Sequence, residues 1–425
     1  MLHGYFLITI LTRKSWLLLK SKHNNNQPAA HTDKLGTSLV LFSVLTIGIG
    51  QSMTFALLAP LGREIGFKEV QVGLIISCAA LTFTLMSPVW GRACDRLGRK
   101  PIMLLGMAGY VVGCTTFASM FQLGFKGILS GWSLFLLVIL SRVMMASLMS
   151  AGPSAAAGYI ADTTSAEQRV AGMGRLGAAR TLGAILGPAL SGVLAVFGLL
   201  APLYIAAGIT LVSTILLATT LKEPRHTCKK TRPAKKLKWL DRRYRPYILT
   251  GLLTFISFSM MGQTIGFYFQ DIFSLNGQET AQALGTGMMI SALMSFFSQS
   301  FLVNRLKLTP LQLMRCGLPL LIGGYALLPF INSLPLAFII LGGLGLGLGL
   351  VAPGFTAGAS LAVGQHEQGA IGGIVSACPA GGFIIGPLLG TSLYQLGHSL
   401  PYICSSLLVI PLSFYIWRLD SSKYR

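Results

Sequence analysis

Gly91 to Pro101 reads GRACDRLGRKP. It sets one carboxylate, Asp95, among four cations, Arg92, Arg96, Arg99 and Lys100, with Gly91 and Gly98 beside them. Apolar runs, Val70 to Trp90 and Ile102 to Met120, flank it on both sides. The chemistry open to such a set is ion pairing at the edge of an apolar layer. Arg142 lies inside another apolar run, about Trp132 to Ala157. A charge there costs about 2.5–3.5 kcal/mol on insertion scales, so it must face an interior and find partners. Further polar side chains interrupt apolar runs at Gln51, Gln263, Tyr268, Gln270, Asp271 and Gln299. The group from Gln263 to Asp271 could meet a polar or aromatic ligand; tyrosine equally suits an interfacial anchor.

Nothing points to covalent chemistry. There is no phosphate-binding Walker sequence and no Ser-His-Asp candidate set. The six histidines occupy tails and loops at no metal-ligand spacing, and the seven cysteines form no C-x-x-C. Most of those cysteines fall in apolar runs and read as small packing residues. GGLGLGLGLVAPG, from Gly342, has no charge or strand around it, so it suits close helix packing and bending, not a nucleotide loop. No catalysis, metal or cofactor is expected.

These residues need helices to hold them. The 425 residues are 53% hydrophobic and 11% charged, with mean hydropathy +0.68. At about 20 residues per span the apolar runs make roughly twelve membrane helices, an all-α integral membrane fold. The net charge is +21, with 33 Lys and Arg against 12 Asp and Glu. With Asp95 in the cytoplasm, twenty-nine of those cations fall in cytoplasmic segments, Arg169 to Arg180 among them. That bias implies both termini inside and contact with anionic lipid, not nucleic acid.

The loop pattern, Gly91, Asp95, Arg96, Gly98, Arg99 and Lys100, resembles the signature G-x-x-x-D-R-x-G-R-[KR] of the major facilitator superfamily. The setting of Arg142 resembles that family's helix 4, where the arginine lines the cavity. Gly174, Gly183, Gly187, Pro188 and Gly192 resemble the helix 5 motif found mainly in antiporters, with Ser191 replacing a glycine. The branch it is similar to is that of drug–proton antiporters, which includes tetracycline-type and multidrug exporters and some siderophore exporters. The resemblance implies two parallel six-helix pseudo-repeats. GAILGPALSG at Gly183 recurs as GFIIGPLLGT at Gly382, and DRLGRKP at Asp95 as NRLKLTP at Asn304, in the same order. The expected division is an extension at 1–36, helical halves at 37–221 and 247–418, a basic loop at 222–246 and a tail at 419–425. Tyr5 to Leu11 is too short to span; the extension suits a membrane-surface segment or an upstream start codon equally.

The resemblance also implies roles. Asp95 is expected at the start of helix 11, around Gly369 to Gly372, where a helix dipole favours a carboxylate. Asp162, expected beside the loop, would pair with Arg92 or Arg96. Together these would latch the halves on the inside. Antiporters of this branch often carry an Asp in helix 1, but here that position is Ile47. Asp271 is therefore the first candidate for proton coupling and Asp162 the second. Arg142 with glutamines and tyrosines suits a polar, neutral or anionic small molecule, with no obligate protein partner, at a bacterial inner membrane. The reading is export by alternating access; the alternatives are an importer on the same fold or a membrane sensor.

Overall fold

The structure, a computed structural model, describes residues 34–164, 166–223, 237–239, 241–306 and 308–419. Most of the expected extension and of the basic loop lies outside them. Twelve helices follow in order: α1 (Lys34–Glu64), α2 (Glu69–Leu97), α3 (Arg99–Phe125), α4 (Gly131–Thr163), α5 (Ala166–Leu194) and α6 (Ala201–Thr220) form one half. The second half holds α7 (Arg245–Phe273), α8 (Gly277–Phe297), α9 (Pro310–Leu327), α10 (Leu334–Leu361), α11 (Gln368–Leu396) and α12 (Leu400–Arg418). A π-helical turn, Ser298–Leu302, carries α8 on to Val303–Leu306. Eleven of the twelve are long and apolar enough to cross a membrane. The exception, α8, is the helix whose first turns carry Gln278, Glu279 and Gln282.

Helices run longer than the apolar runs. The run from Leu39 to Leu61 becomes α1, Lys34–Glu64, and Tyr247 to Gln270 becomes α7, Arg245–Phe273. A backbone hydrogen-bond ladder need not stop where hydrocarbon stops, so the polar side chains closing each run ride on the last helical turn. The same holds at the signature sequence. It is mostly helix, and only Gly98, at φ 101°, breaks α2 from α3. That backbone conformation favours glycine.

Small residues set the approach of helices. A Cβ on Gly187 would overlap Ser52 Oγ and the Ile49 carbonyl of α1, and one on Gly183 would crowd Gly48. The second half repeats the device: a Cβ on Gly386 would overlap Ser259 Oγ of α7, and one on Gly382 would meet Phe255. Ser52 Oγ donates to Gly183 O at 3.0 Å and Ser259 Oγ to Gly382 O at 2.6 Å. The sequence repeat is therefore a repeat of one helix–helix contact. In α10, Gly345 and Gly349 press on the carbonyls of Ser291 and Ser295 in α8, the close packing expected of that glycine-rich stretch.

The halves meet through α2 on α11 and α5 on α8. These contacts are tight only toward the end away from Asp95. There Gly73 abuts Pro387 O and Thr391, and Gly285 abuts Pro188 O and Gly192. Toward the Asp95 end, Gly91, Gly174, Gly177, Gly369, Gly372 and Gly373 each face open space. The bundle is closed at one end and open at the other.

These two environments predict opposite outcomes for one substitution. Gly187→Val should destabilise the detergent-solubilised protein by about 1–3 kcal/mol through overpacking. Gly177→Val, four residues past Met173 on the same helix, should leave its thermal midpoint near wild type. Equal midpoints for the two would refute the packing account.

Candidate functional site

At the open end, Arg99 is the hub. Its Nη1 donates to Asp95 Oδ1 at 2.9 Å and its Nε to Asp162 Oδ2 at 2.8 Å. Gly158 of α4 leaves room for the guanidinium, since a Cβ there would meet Arg99 Cζ at 2.8 Å. Asp162 was expected on Arg92 or Arg96; it pairs with Arg99 instead. The turn at Gly98 reverses the chain and brings Arg99 back over the α2 terminus. Arg96 stays exposed, and Arg92 Nε reaches only Pro88 O, at 3.4 Å. Asp95, whose side chain is 61% exposed, bonds within its own half and not to the start of α11. Glu223, from the start of the basic loop, accepts the backbone N–H groups of Arg99 (2.6 Å) and Lys100 (2.9 Å). It caps α3 at the site where unpaired donors and the helix dipole favour an anion.

The start of α11 has a different partner. Arg243 Nη1 donates to Glu367 Oε2 at 2.9 Å while its other nitrogens bond Asp241. The Arg243 guanidinium holds the Asp241 carboxyl below the usual carboxylate range. Both ends of the basic loop are thus fastened, one to each half.

At the closed end, Arg63 of α1 binds Asp271 of α7 with both nitrogens, Nη1 to Oδ1 at 2.6 Å and Nη2 to Oδ2 at 3.1 Å. Its Nη2 also donates to Glu69 Oε1 of α2 at 3.0 Å, and its guanidinium lies 5.3 Å over the Phe267 ring. Tyr394 of α11 donates its hydroxyl to Asp271 Oδ2 at 2.5 Å, and Gln395 Nε2 reaches Glu69 Oε2 at 3.3 Å. His398 stacks on Tyr394 and places Nε2 3.8 Å from Asp271. Glu64 Oε1 accepts from Gly277 N of α8 at 3.1 Å. Every one of these bonds except Arg63–Glu69 and the contacts around Tyr394 and His398 within α7 and α11 crosses between the halves. A cleft of about 440 Å³ lined by Lys68, Glu69, Tyr394, Gln395 and His398 opens over the network. The pairing of Asp271 with Arg63 was not foreseen in the sequence, because the two lie 208 residues apart in the chain.

Between the two ends the candidate residues disperse. Phe55 of α1 meets Phe383 of α11 edge to face at 5.6 Å, joining the halves. Gln51, one turn toward the open end, is exposed. Arg142 does not line that opening: it is buried, pointing to α3, with its guanidinium 5.7 Å from the Phe117 ring and Nη1 3.2 Å from Met145 Sδ. Its Nε has no partner among the described residues. Gln263 is 1% exposed, and neither amide atom finds a hydrogen-bond partner there. Tyr268 is fixed inside the second half, its hydroxyl on Pro329 O at 3.2 Å and its ring against Tyr402. Gln299 is exposed in the π turn and donates to Ser295 Oγ at 3.1 Å. In the helix 5 motif, Gly183 and Gly187 face α1, Pro188 and Gly192 face α8, and Gly174 faces open space. Among the described residues no group of His, Cys, Asp or Glu gathers as a metal site.

A family model described as Major Facilitator Superfamily matches residues 40–387. The chain is 28% identical to the class B tetracycline resistance protein of Escherichia coli over 398 residues, covering 89% of this chain and 93% of that one. It is 25% identical to the quinolone resistance protein NorA of Staphylococcus aureus, covering 85% and 91%. Among solved structures, a bacterial homolog of the human lysosomal transporter Spinster, inward-facing and occupied, superposes with TM-score 0.69 at 13% identity, over 93% of this chain and 98% of that one. A nucleoside transporter, NupG, superposes at 0.69 and 13% identity, over 91% and 99%. With twelve helices in two matched halves and a family match across most of its length, this multi-pass membrane protein belongs to the Major Facilitator Superfamily.

Proposed function

We propose that the protein exports a small organic molecule across the cytoplasmic membrane by alternating access, and that the structure is its cytoplasm-open state. The observation that carries this is the asymmetry of the two ends. The far end is closed by an inter-half ion-pair network, while the signature end is splayed. The charge bias of the sequence assigns the signature end to the cytoplasm. Export is supported by the relatives, tetracycline and quinolone resistance proteins of 25–28% identity over most of both chains. The helix 5 motif, with Gly183 and Gly187 on α1 and Gly192 on α8, agrees with it. A drug or a metabolite such as a siderophore is the finer reading.

Asp271 then acts as the outer gate. Releasing cargo outward requires separating α1 and α2 from α7 and α11, hence breaking the Arg63 pair. At the cytoplasmic end, Asp95 is exposed and would have to leave Arg99 to meet the start of α11 when that end shuts. Proton coupling accompanies export in this proposal. Asp271 lies at the closed outer end, so its gate role does not by itself move a proton across; of the two coupling candidates, Asp162 is the one at the open end.

Two measurements test the proposal. Asp271→Asn removes a partly buried bidentate pair, so the outward-open population should rise by about 5- to 30-fold, equivalent to about 1–2 kcal/mol. Spin-label distances across the far ends of α2 and α11 should lengthen; unchanged distances would refute the gate. Separately, deleting the gene should raise one cellular compound and deplete it from the medium. Wild type should restore export and collapse of the pH gradient should stop it; export that survives the collapse would refute coupling.

A further inference from the structure

Arg180 was counted with the cytoplasmic charges, but it lies midway along α5, three residues before the Gly183 that meets the midpoint of α1 at Gly48. Its side chain is exposed, with no hydrogen bond, ion pair or ring contact among the described residues. The exposure is not toward lipid. Helical residues step by about 100°, which places Arg180 about 60° from Gly183. Gly177 and Ala184 follow on the same side, and both are open or exposed. This sector lies between the face that packs on α1 (Gly183, Gly187) and the face that packs on α8 (Pro188, Gly192). Leu182 and Val193, 46% and 66% exposed, mark the opposite, lipid-facing side. Toward the closed end the same sector is shut: Ser191 is fully buried. Arg180 therefore points into the space between the halves, nearer the open end than Gln51 and the Phe55–Phe383 pair.

Nothing there balances its charge. Every carboxylate in the described residues sits in a loop or within about one turn of a helix end. The other mid-span cation, Arg142, has no carboxylate partner either and is turned into its own half. A cation at mid-membrane depth without a fixed counter-charge is stabilised by an anion brought in from water.

We propose that Arg180 is the charge-recognition residue of the cavity, and that the cargo carries an anionic group, carboxylate, sulfonate or phosphate, with an apolar or aromatic body that extends from it toward Phe55 and Phe383. The inference rests on reading this cavity as the cargo site.

The test uses the full chain with its seven cysteines replaced and a single reporter, Gly177→Cys or Ala184→Cys, in membranes open at the cytoplasmic end. An anionic thiol reagent, sulfonatoethyl methanethiosulfonate, should label both reporters faster than the cationic trimethylammonioethyl reagent. Arg180→Gln should cancel or reverse that preference, and Arg180→Lys should keep it. 1-Naphthylacetate should protect the reporters at about tenfold lower concentration than 1-naphthylacetamide, the contrast expected of one charge-assisted bond, and Arg180→Gln should erase the difference. Failure to label either reporter in folded protein would overturn the cavity placement. A preference unmoved by Arg180→Gln, or equal protection by acid and amide, would overturn charge recognition. None of these results depends on flux, so the export reading stands or falls separately on the deletion strain.

Discussion

The Arg63–Asp271 pair is what gives this state its shape. Two bonds of 2.6 and 3.1 Å bind α1 to α7 at one end, and Tyr394 adds a third contact on the same carboxylate. The side chains keep 30% and 22% exposure, so the pair is neither fully screened by water nor stranded in hydrocarbon. That middle ground suits a contact that must form and break. A fully buried pair would leave a costly naked charge each time it opened, and a fully solvated one would hold almost nothing.

The helices around the pair transmit its effect because each half is internally stiff. Ser52 with Gly183 and Gly187, and Ser259 with Gly382 and Gly386, fix α1 on α5 and α7 on α11 by the same contact. α11 and α5 then carry the cross-half seams, on α2 and α8. A motion at the far end must turn whole halves about those seams. The open glycines at the other end, Gly174, Gly177, Gly369 and Gly372, show where the seams have parted. The loop ends that Glu223 and Arg243 fasten lie on that parted side, one on each half.

The repeat, the helix count and the small-residue contacts were legible in the sequence because each depends on residue type at local spacing. Partner choice was not. Asp162 was in view, but whether Arg92, Arg96 or Arg99 meets it depends on the single φ of 101° at Gly98. The role of Glu223 follows from where α6 ends relative to α3, which spacing does not report. Arg180 was misplaced for a plainer reason. A run of AGMGRLGAARTLG is weakly apolar and contains two arginines, so hydropathy puts the edge of the membrane after it. The helix starts at Ala166 all the same, and Arg180 sits midway along it on an exposed sector.

The two mid-span arginines answer the same energetic problem in opposite ways. Arg142 is dry: its guanidinium lies over Phe117 and against Met145, where ring quadrupole and polarisable sulfur offset part of the desolvation. Its position on α4, turned against α3 of the same half, makes it a fixed source of positive potential. Arg180 is exposed on the sector that faces the opening, where water can hydrate its charge until a ligand displaces it. A field of one sign with no carboxylate at the same depth repels a cation and attracts an anion, whatever contacts refine the choice. In the proposed cycle, shutting the open end removes the water around Arg180. An empty carrier then buries a bare cation, whereas a carrier holding an anion buries a pair. In the proposed cycle the loaded protein therefore changes state more readily than the empty one.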